Sequence, residues 1–178
     1  MTDPANLTTA SGERRRADRV VDADAYRQAL ARHATGVVII TAAAEGVPVG
    51  LTATSFSSVS LTPPLVSFYV DHNSTTWPWL RLADRFAVNV LAGHQHDLAT
   101  RFARKGIDRF ADPTRWNPAP DGTPLLEDVS AHLICTPHTT VDIGDHTLVV
   151  GLVTDTSTGR GAPLLYHQGR YGRFLPHL

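Results

Sequence analysis

Residues Val37-Val38-Ile39-Ile40-Thr41 form an unbroken β-branched run, and a second apolar stretch, Val47 to Thr54, follows across Glu45-Gly46. Branched side chains lose rotamer freedom in a helix and pack well on a pleated surface, and a Gly-containing pair between two such runs signals a tight turn. The chain is thereby committed early to an antiparallel hairpin. Pro63-Pro64 forbids helix and feeds a strand from Leu65 to Val70, and Phe86 to Leu91 repeats the pattern. The C-terminal third adds strands over Val129 to Val141, His146 to Asp155 and Leu164 to Phe174, separated by Gly144-Asp145 and by Thr156 to Ala162. About six or seven strands with few helices predict a mainly β barrel.

The helices are short. Asp22 caps a predicted helix over 23–33 whose Tyr26, Leu30 and His33 recur at i, i+4 and i+7, placing one stripe on the body. Ser74-Thr75-Thr76 before Trp77-Pro78 offers caps and a first-turn proline for a helix through Ala83. Asp97 to Lys105 reads as a third helix stopped by Gly106. Arg109 to Thr123, with three prolines and Asp121-Gly122, predicts a surface loop placed to act as a lid. Residues 1–20 lack apolar periodicity and are expected to be a flexible tail, leaving 21–178 as one domain.

Sixteen basic against 17 acidic residues leave a net charge of -1, no footing for sequence-independent phosphate binding, so nucleic acid is not an expected partner. Arg14, Arg15, Arg16 and Arg19 resemble the start of an export signal, yet Val20-Val21-Asp22-Ala23-Asp24 puts acids where an apolar run is needed. The apolar stretches fall short of the roughly 20 residues of a membrane helix. A cytoplasmic protein with no membrane partner is expected, and a lone Cys135 forms no internal disulfide.

Several familiar catalytic motifs are missing: Gly-x-Gly-x-x-Gly after a strand, the Walker loop, His-Glu-x-x-His and the Gly-x-Ser-x-Gly elbow. His94-Gln95-His96-Asp97 reads as a solvated helix start, and no metal site is expected. Cys135 lies three residues from His132 and His138, which on a strand puts them on the opposite face, so it is expected to be a buried structural thiol.

The densest polar signal is Thr52 to Thr62, where seven of eleven residues carry hydroxyls and none carries charge. Such a segment suits hydrogen bonding to a neutral polar ring, although a plain Ser/Thr-rich strand leading into a loop has the same composition. A second cluster, Asn73-Ser74-Thr75-Thr76, precedes a helix start, where free amides favour an anion such as phosphate and where simple capping is the alternative. Together the two point to a nucleotide-like cofactor.

Ala34-Thr35-Gly36-Val37, Gly50 through Val66, Phe86-Ala87-Val88-Asn89-Val90-Leu91, Phe102-Ala103, Gly144-Asp145-His146-Thr147, Pro163-Leu164-Leu165-Tyr166 and Gly169-Arg170-Tyr171 follow one another in an order that resembles the short flavin reductases. These are the reductase components of two-component flavin-dependent monooxygenases, and the resemblance covers about residues 23 to 174. It implies a homodimeric, flavin-binding split β-barrel of Greek-key type.

The same resemblance implies that Gly50 and Thr52, Ala53, Thr54, Ser55, Phe56, Ser57 and Ser58 line the isoalloxazine, with Ser67, Phe68 and Tyr69 on the strand beneath. Asn73, Ser74 and Thr75 would take the phosphate, and Phe102 and Ala103, with Lys105 nearby, the distal part of the flavin. His146 would meet the nicotinamide, with Tyr166, Arg170 and Tyr171 near the same mouth. Thr54 and Asn73-Ser74 depart from the family's frequent residues, and the choice of FMN or FAD is open. The implied activity is reduction of FMN or FAD by NADH or NADPH, with reduced flavin passed to a separate monooxygenase. Hydride transfer requires stacked rings rather than an acid–base dyad. Two rivals stay open: a non-catalytic flavin sensor or carrier on the same barrel, and an oxidase of the pyridoxamine-phosphate type, which would need a compact cationic phosphate clamp.

Overall fold

The computed structural model describes residues 20–176, so the predicted tail and the four N-terminal arginines lie outside the described residues apart from Val20. In chain order the elements are α1 (Ala23–Leu30), β1 (Thr35–Gly36), β2 (Val38–Ala44), β3 (Val47–Ala53), β4 (Ser57–Ser60), β5 (Leu65–Asp71) and α2 (Trp77–Leu80). There follow β6 (Phe86–Val90), α3 (His96–Ala103), β7 (Trp116–Pro118), β8 (Pro124–Leu126), β9 (Ala131–Ile143), β10 (His146–Thr158), β11 (Leu164–His167) and β12 (Arg170–Arg173).

Seven strands form one sheet in the order β3-β2-β6-β9-β10-β5-β4, antiparallel throughout. Three strands separate β2 from β5, yet Val38 and Ile40 of the one and Phe68 and Val70 of the other share a buried cluster with Phe86 and Val88. The sheet must coil back on itself for this to happen, which makes it the wall of an open, split barrel. Irregularities in the β9–β10 ladder at Val150/Gly151 and Val153/Asp155 help the two longest strands to bend. The small sheets β1-β11-β12 and β7-β8 close over a second cluster built on Val37, Ile39, Leu91, Phe102 and Leu164.

The β2–β3 hairpin turns through Glu45 and Gly46, both at positive φ (51° and 79°), the conformation that suits a right-twisted two-residue hairpin. β2 alternates between the two cores, Val38, Ile40 and Ala42 entering one and Ile39 the other, so the whole run is buried. On the second face sits a satisfied polar pair. Fully buried Asn89 donates to the Ile39 carbonyl and Thr41 Oγ1, both at 2.9 Å, and accepts from Leu126 N at 2.9 Å.

Five expectations need correction, the first being the second helix, which ends at Leu80 rather than running through Ala83. Asp22 does cap α1, accepting from Asp24 N and Ala25 N, but the helix ends at Leu30 and Tyr26 and Leu30 remain 55% and 52% exposed, because nothing among the described residues covers that stripe. α3 stops at Ala103 because Arg104 is already extended (ψ 144°), two residues before Gly106. The segment 109–123 is no loose lid. Phe110 and Trp116 stack edge-on in series from Phe102 (centroids 5.1 and 5.4 Å apart), Arg101 donates to the carbonyls of Asp108, Arg109, Ala111 and Asp112, and β7 pairs with β8. The last predicted strand is a hairpin, β11–β12, turning at Gln168 and Gly169.

Candidate functional site

A cleft of about 370 Å³ opens where β3 leaves the sheet, between the ends of β3 and β5, the C-terminal end of α3 and the start of α2. β3 alternates there. Leu51 and Ala53 pack toward the first core, while Gly50 and Thr52 face α3. A Cβ at Gly50 would lie 2.8 Å from Phe102 Cε1, so glycine is what lets the helix approach the strand this closely. Thr52 Oγ1 donates to the Ala99 carbonyl at 2.7 Å, a second tie between the two.

Past β3 the chain turns through Thr54 and Ser55 before pairing as β4. In the β4–β5 register Ser57 opposes Ser67, and two residues earlier Ser55 supplies the next rung with its side chain, accepting from Tyr69 N at 3.0 Å. Thr54, Ser55 and half-exposed Tyr69 thus stand together at one wall.

The turn after β5 is held by Asp71, whose Oδ1 accepts from Asn73 N at 2.6 Å. That backbone bond is the main reason its carboxyl is held below its ordinary pKa. Ser74 Oγ accepts from Thr76 N and Trp77 N at 3.3 and 3.2 Å. The amides of Asn73, Ser74, Thr76 and Trp77 are therefore already spent, and what this turn offers an anion is the Thr75 amide and the hydroxyl protons of Ser74 and Thr75. Two cations flank them. Lys105 Nζ donates to the Asn73 carbonyl at 3.2 Å. Arg109 Nη1 donates to Gly50 O (2.8 Å) and Thr76 Oγ1 (2.6 Å), and its Nε to Arg104 O (2.9 Å). Partial burial lowers the Arg109 pKa from its ordinary value, but a guanidinium in this range stays charged.

His146 reaches the cleft from the start of β10, paired across the ladder with Asp71. Its Nδ1 lies 2.6 Å from Asp145 Oδ1. A carboxylate only accepts, so Nδ1 carries the proton and Nε2 is the nitrogen left for a ligand. The hydrogen bond to His146 is also the main cause holding the Asp145 carboxyl below its usual pKa.

The structure brings together Thr52, Ala53, Thr54, Ser55, Tyr69, Ser74, Thr75, Phe102, Ala103, Lys105 and His146, all expected site residues. Gly50 and Asn73 support the walls without lining them. Phe68 is fully buried and packs edge-on to Phe86 at 5.6 Å in the first core; it shares a strand face with Val66 and Val70, and only Val70, at the end of β5, reaches the cleft. Phe56 packs on the same core, Ser57 and Ser58 are exposed on β4, and Ser67 is buried on β5. Tyr166 and Tyr171 stack at 5.4 Å over the second core, and Arg170 is exposed in the β11–β12 turn. None of these expected residues lines the cleft. Thr76 belongs to the hydroxyl cluster read from the sequence, whereas sequence reasoning missed Asp71 and Arg109. Only the Asp-x-Asn spacing of Asp71 and Asn73, an Asx-turn signal, was there to be read.

The sequence pattern of the flavin reductase like domain matches residues 30–175. An NADH:FMN oxidoreductase of Rhodococcus erythropolis is 44% identical over 156 residues, covering 85% of this chain and 81% of that protein. The flavin-dependent monooxygenase reductase subunit HsaB of Rhodococcus jostii (strain RHA1) is 36% identical over 171 residues, covering 96% of this chain and 87% of that one. The Streptomyces globisporus C-1027 NADH:FAD oxidoreductase SgcE6, solved in complex with NAD and FAD fragments, superposes with a TM-score of 0.82 at 35% identity, covering 87% of this chain and 94% of that one.

Proposed function

The chain belongs to the flavin reductase like domain family, and on that footing we propose that it is an NAD(P)H:flavin oxidoreductase that reduces FMN or FAD and supplies the reduced flavin to a separate flavin-dependent monooxygenase. The observation that carries this reading is the single cleft shared by Thr54, Ser55, Ser74, Thr75, Lys105 and His146, drawn from four separate chain segments.

Its residues fit a flavin nucleotide. The volume lies in the range of small-molecule sites, the floor is apolar at Leu51, Ala53 and Val70, and the rim offers uncharged hydroxyls beside two cations. Thr54, Ser55 and Tyr69 would hold the ring, and Ser74, Thr75 and Lys105 the phosphate. A bound flavin supplies the hydride-accepting chemistry, with NAD(P)H as donor. The protein's part is to position the partners and to aim donors at sites that gain negative charge on reduction. Hydroxyls serve well there, since they stabilise an anion without presenting a carboxylate to it. His146 orients the nicotinamide through Nε2, with Asp145 fixing the ring. Purified protein should bleach the visible absorbance of added FMN or FAD anaerobically on addition of NADH or NADPH. Failure with both donors would refute the enzymatic reading, and bound yellow flavin that no donor bleaches would favour a carrier.

A homodimer is part of the proposal. It is supported by apolar surface left open on one chain, Tyr26 and Leu30 on α1 and Val141 and Ile143 near the β9–β10 tip, each between 47% and 55% exposed. Sedimentation equilibrium giving a monomer at micromolar concentration would remove it. We place the protein in the cytoplasm, where NAD(P)H is available. Among the described residues no helix is long and apolar enough to cross a membrane.

A further inference from the structure

We infer that a second hollow, walled by Trp79, receives the adenosine half of FAD and gives the protein a preference for the flavin dinucleotide over FMN. The inference rests on the flavin reading above and extends it to a part of the surface that reading leaves unused.

Strand β3 runs beneath both compartments. Leu51, Thr52 and Ala53 line the cleft, and Pro48, Val49 and Gly50 line an adjoining hollow of about 240 Å³. The two meet at Thr75, Thr76 and Arg109, which line both. A ligand whose ring lies by Thr54 and whose phosphate reaches Thr75 has used the first compartment. Anything attached beyond that phosphate passes the neck and enters the second.

The neck suits a pyrophosphate. Arg109 is fixed by donating to Gly50, Thr76 and Arg104, and five guanidinium hydrogens against four such bonds leave one on Nη2. Lys105 spends one of three ammonium hydrogens on the Asn73 carbonyl. Two carboxylates line the compartments, and both are turned into their own loops: Asp71 Oδ1 accepts from Asn73 N, and Asp108 Oδ1 accepts from Phe110 N and Ala111 N at 2.9 and 3.2 Å.

Beyond the neck the walls become apolar. Trp79 is 52% exposed and Ile107 43%, with Pro48 and Val49 completing the hollow. Trp79 stands on the four-residue α2, whose Leu80 is buried in the first core and whose Trp77 packs against it, so the indole is held at the surface by a fixed scaffold. An indole presented beside a phosphate-binding neck is a stacking platform for a base. Two compartments joined by a cationic neck match two ring systems joined by a pyrophosphate, whereas FMN would fill only the first.

Isothermal titration calorimetry with FMN, FAD and NADH separately, on wild type and Trp79→Ala, tests this without recourse to turnover. Removing a base-stacking indole should raise the FAD Kd by about tenfold and leave the FMN Kd within about twofold, with Trp79→Phe restoring most FAD affinity. FMN binding also reports that the variant is folded; should Trp79→Ala lose FMN as well, Ile107→Asp, which puts a carboxylate in the same hollow, must produce the selective FAD loss. Equal effects of Ile107→Asp on both flavins, or no effect of Trp79→Ala on FAD, overturn the inference while leaving the flavin reading intact. A loss confined to NADH assigns the hollow to the nicotinamide dinucleotide and overturns it too. If the wild type binds neither flavin, the proposed function itself falls.

Discussion

Replacing Gly50 by alanine should disturb both the stability and the flavin affinity of this protein through one steric contact. The added Cβ would lie 2.8 Å from Phe102 Cε1, 3.1 Å from Phe102 Cδ1 and 3.0 Å from the Ile40 carbonyl oxygen. Neither neighbour yields easily. Phe102 is 1% exposed and stacked edge-on against Phe110, and the Ile40 carbonyl belongs to the backbone of the buried strand β2. The strain has to be relieved by lifting α3 from β3, and such overpacking costs about 1–3 kcal/mol. At roughly 2–4 °C per kcal/mol for a chain of this size, the thermal midpoint should fall by about 2–12 °C. Lifting α3 also stretches the Thr52–Ala99 tie and moves Ala103 and Lys105 at the cleft wall, so the FMN Kd should rise alongside. The contact can be isolated in a double-mutant cycle with Phe102→Leu, in which the two losses should be less than additive by about 0.5–3 kcal/mol. Strict additivity, or a Gly50→Ala protein melting within about 1 °C of wild type, would show that Gly50 is not what sets the helix–strand distance.

His146→Ala should slow hydride transfer by about tenfold or more in stopped-flow mixing with NADH while the flavin Kd stays nearly unchanged, and Asp145→Asn should show a smaller loss of the same kind; a large loss of flavin affinity instead would place His146 elsewhere. Asn89→Leu should cost about 1–3 kcal/mol in urea unfolding, since it leaves the Leu126 amide buried without its acceptor, and a neutral result would deny that pair a structural role. Burial pushes the Cys135 thiol up to about 12, so iodoacetamide should label it only after denaturation. Asp71 and Asp145 are both held below the ordinary value of 3.8, so whatever stability they lend is present above that pH and lost as pH falls through their lower folded-state values. The stability gap between wild type and the Asp71→Asn, Asp145→Asn double variant should accordingly narrow in strong acid, and a gap that widened there would reverse the sign.

Where local chemistry decides a structure, the sequence could be read with little loss. The β2–β3 hairpin follows from its branched run and Glu45-Gly46, and the Asp22 cap from one carboxylate placed before two amides. What the chain does with those elements depends on partners far away in sequence. The stripe of α1 has the periodicity of a buried helix and finds nothing among the described residues to cover it. Phe68 was expected beneath the cleft, although the alternation Val66, Phe68, Val70 against Ser67 and Tyr69 already puts it on the core side. Arg109 lay unremarked in a proline-rich stretch because its partners are two main-chain carbonyls and Thr76, 33 residues away, and no residue pattern marks a carbonyl.

The hydroxyls that made the cleft legible turn out to do two kinds of work. Thr52 ties α3, Ser55 makes a ladder rung, Ser74 caps two amides and Thr76 accepts from Arg109, so four of the cleft's alcohols are engaged in holding its walls. Ser55 exchanges both bonds with Tyr69, accepting from its N–H and donating to its carbonyl at 3.4 Å, whereas Ser74 and Thr76 spend only acceptor lone pairs, and a hydroxyl that accepts from an N–H still has its own proton to give. The contacts that fix Ser74 and Thr76 therefore leave their protons unspent on the protein. Donors arranged in this way need little reorganisation when charge appears on a bound ring, which is the condition under which hydrogen bonds stabilise a reduced anion most effectively. A segment whose composition suited either a polar strand or a binding surface thus pairs as strand and, from Thr52 to Ser55, lines the cleft.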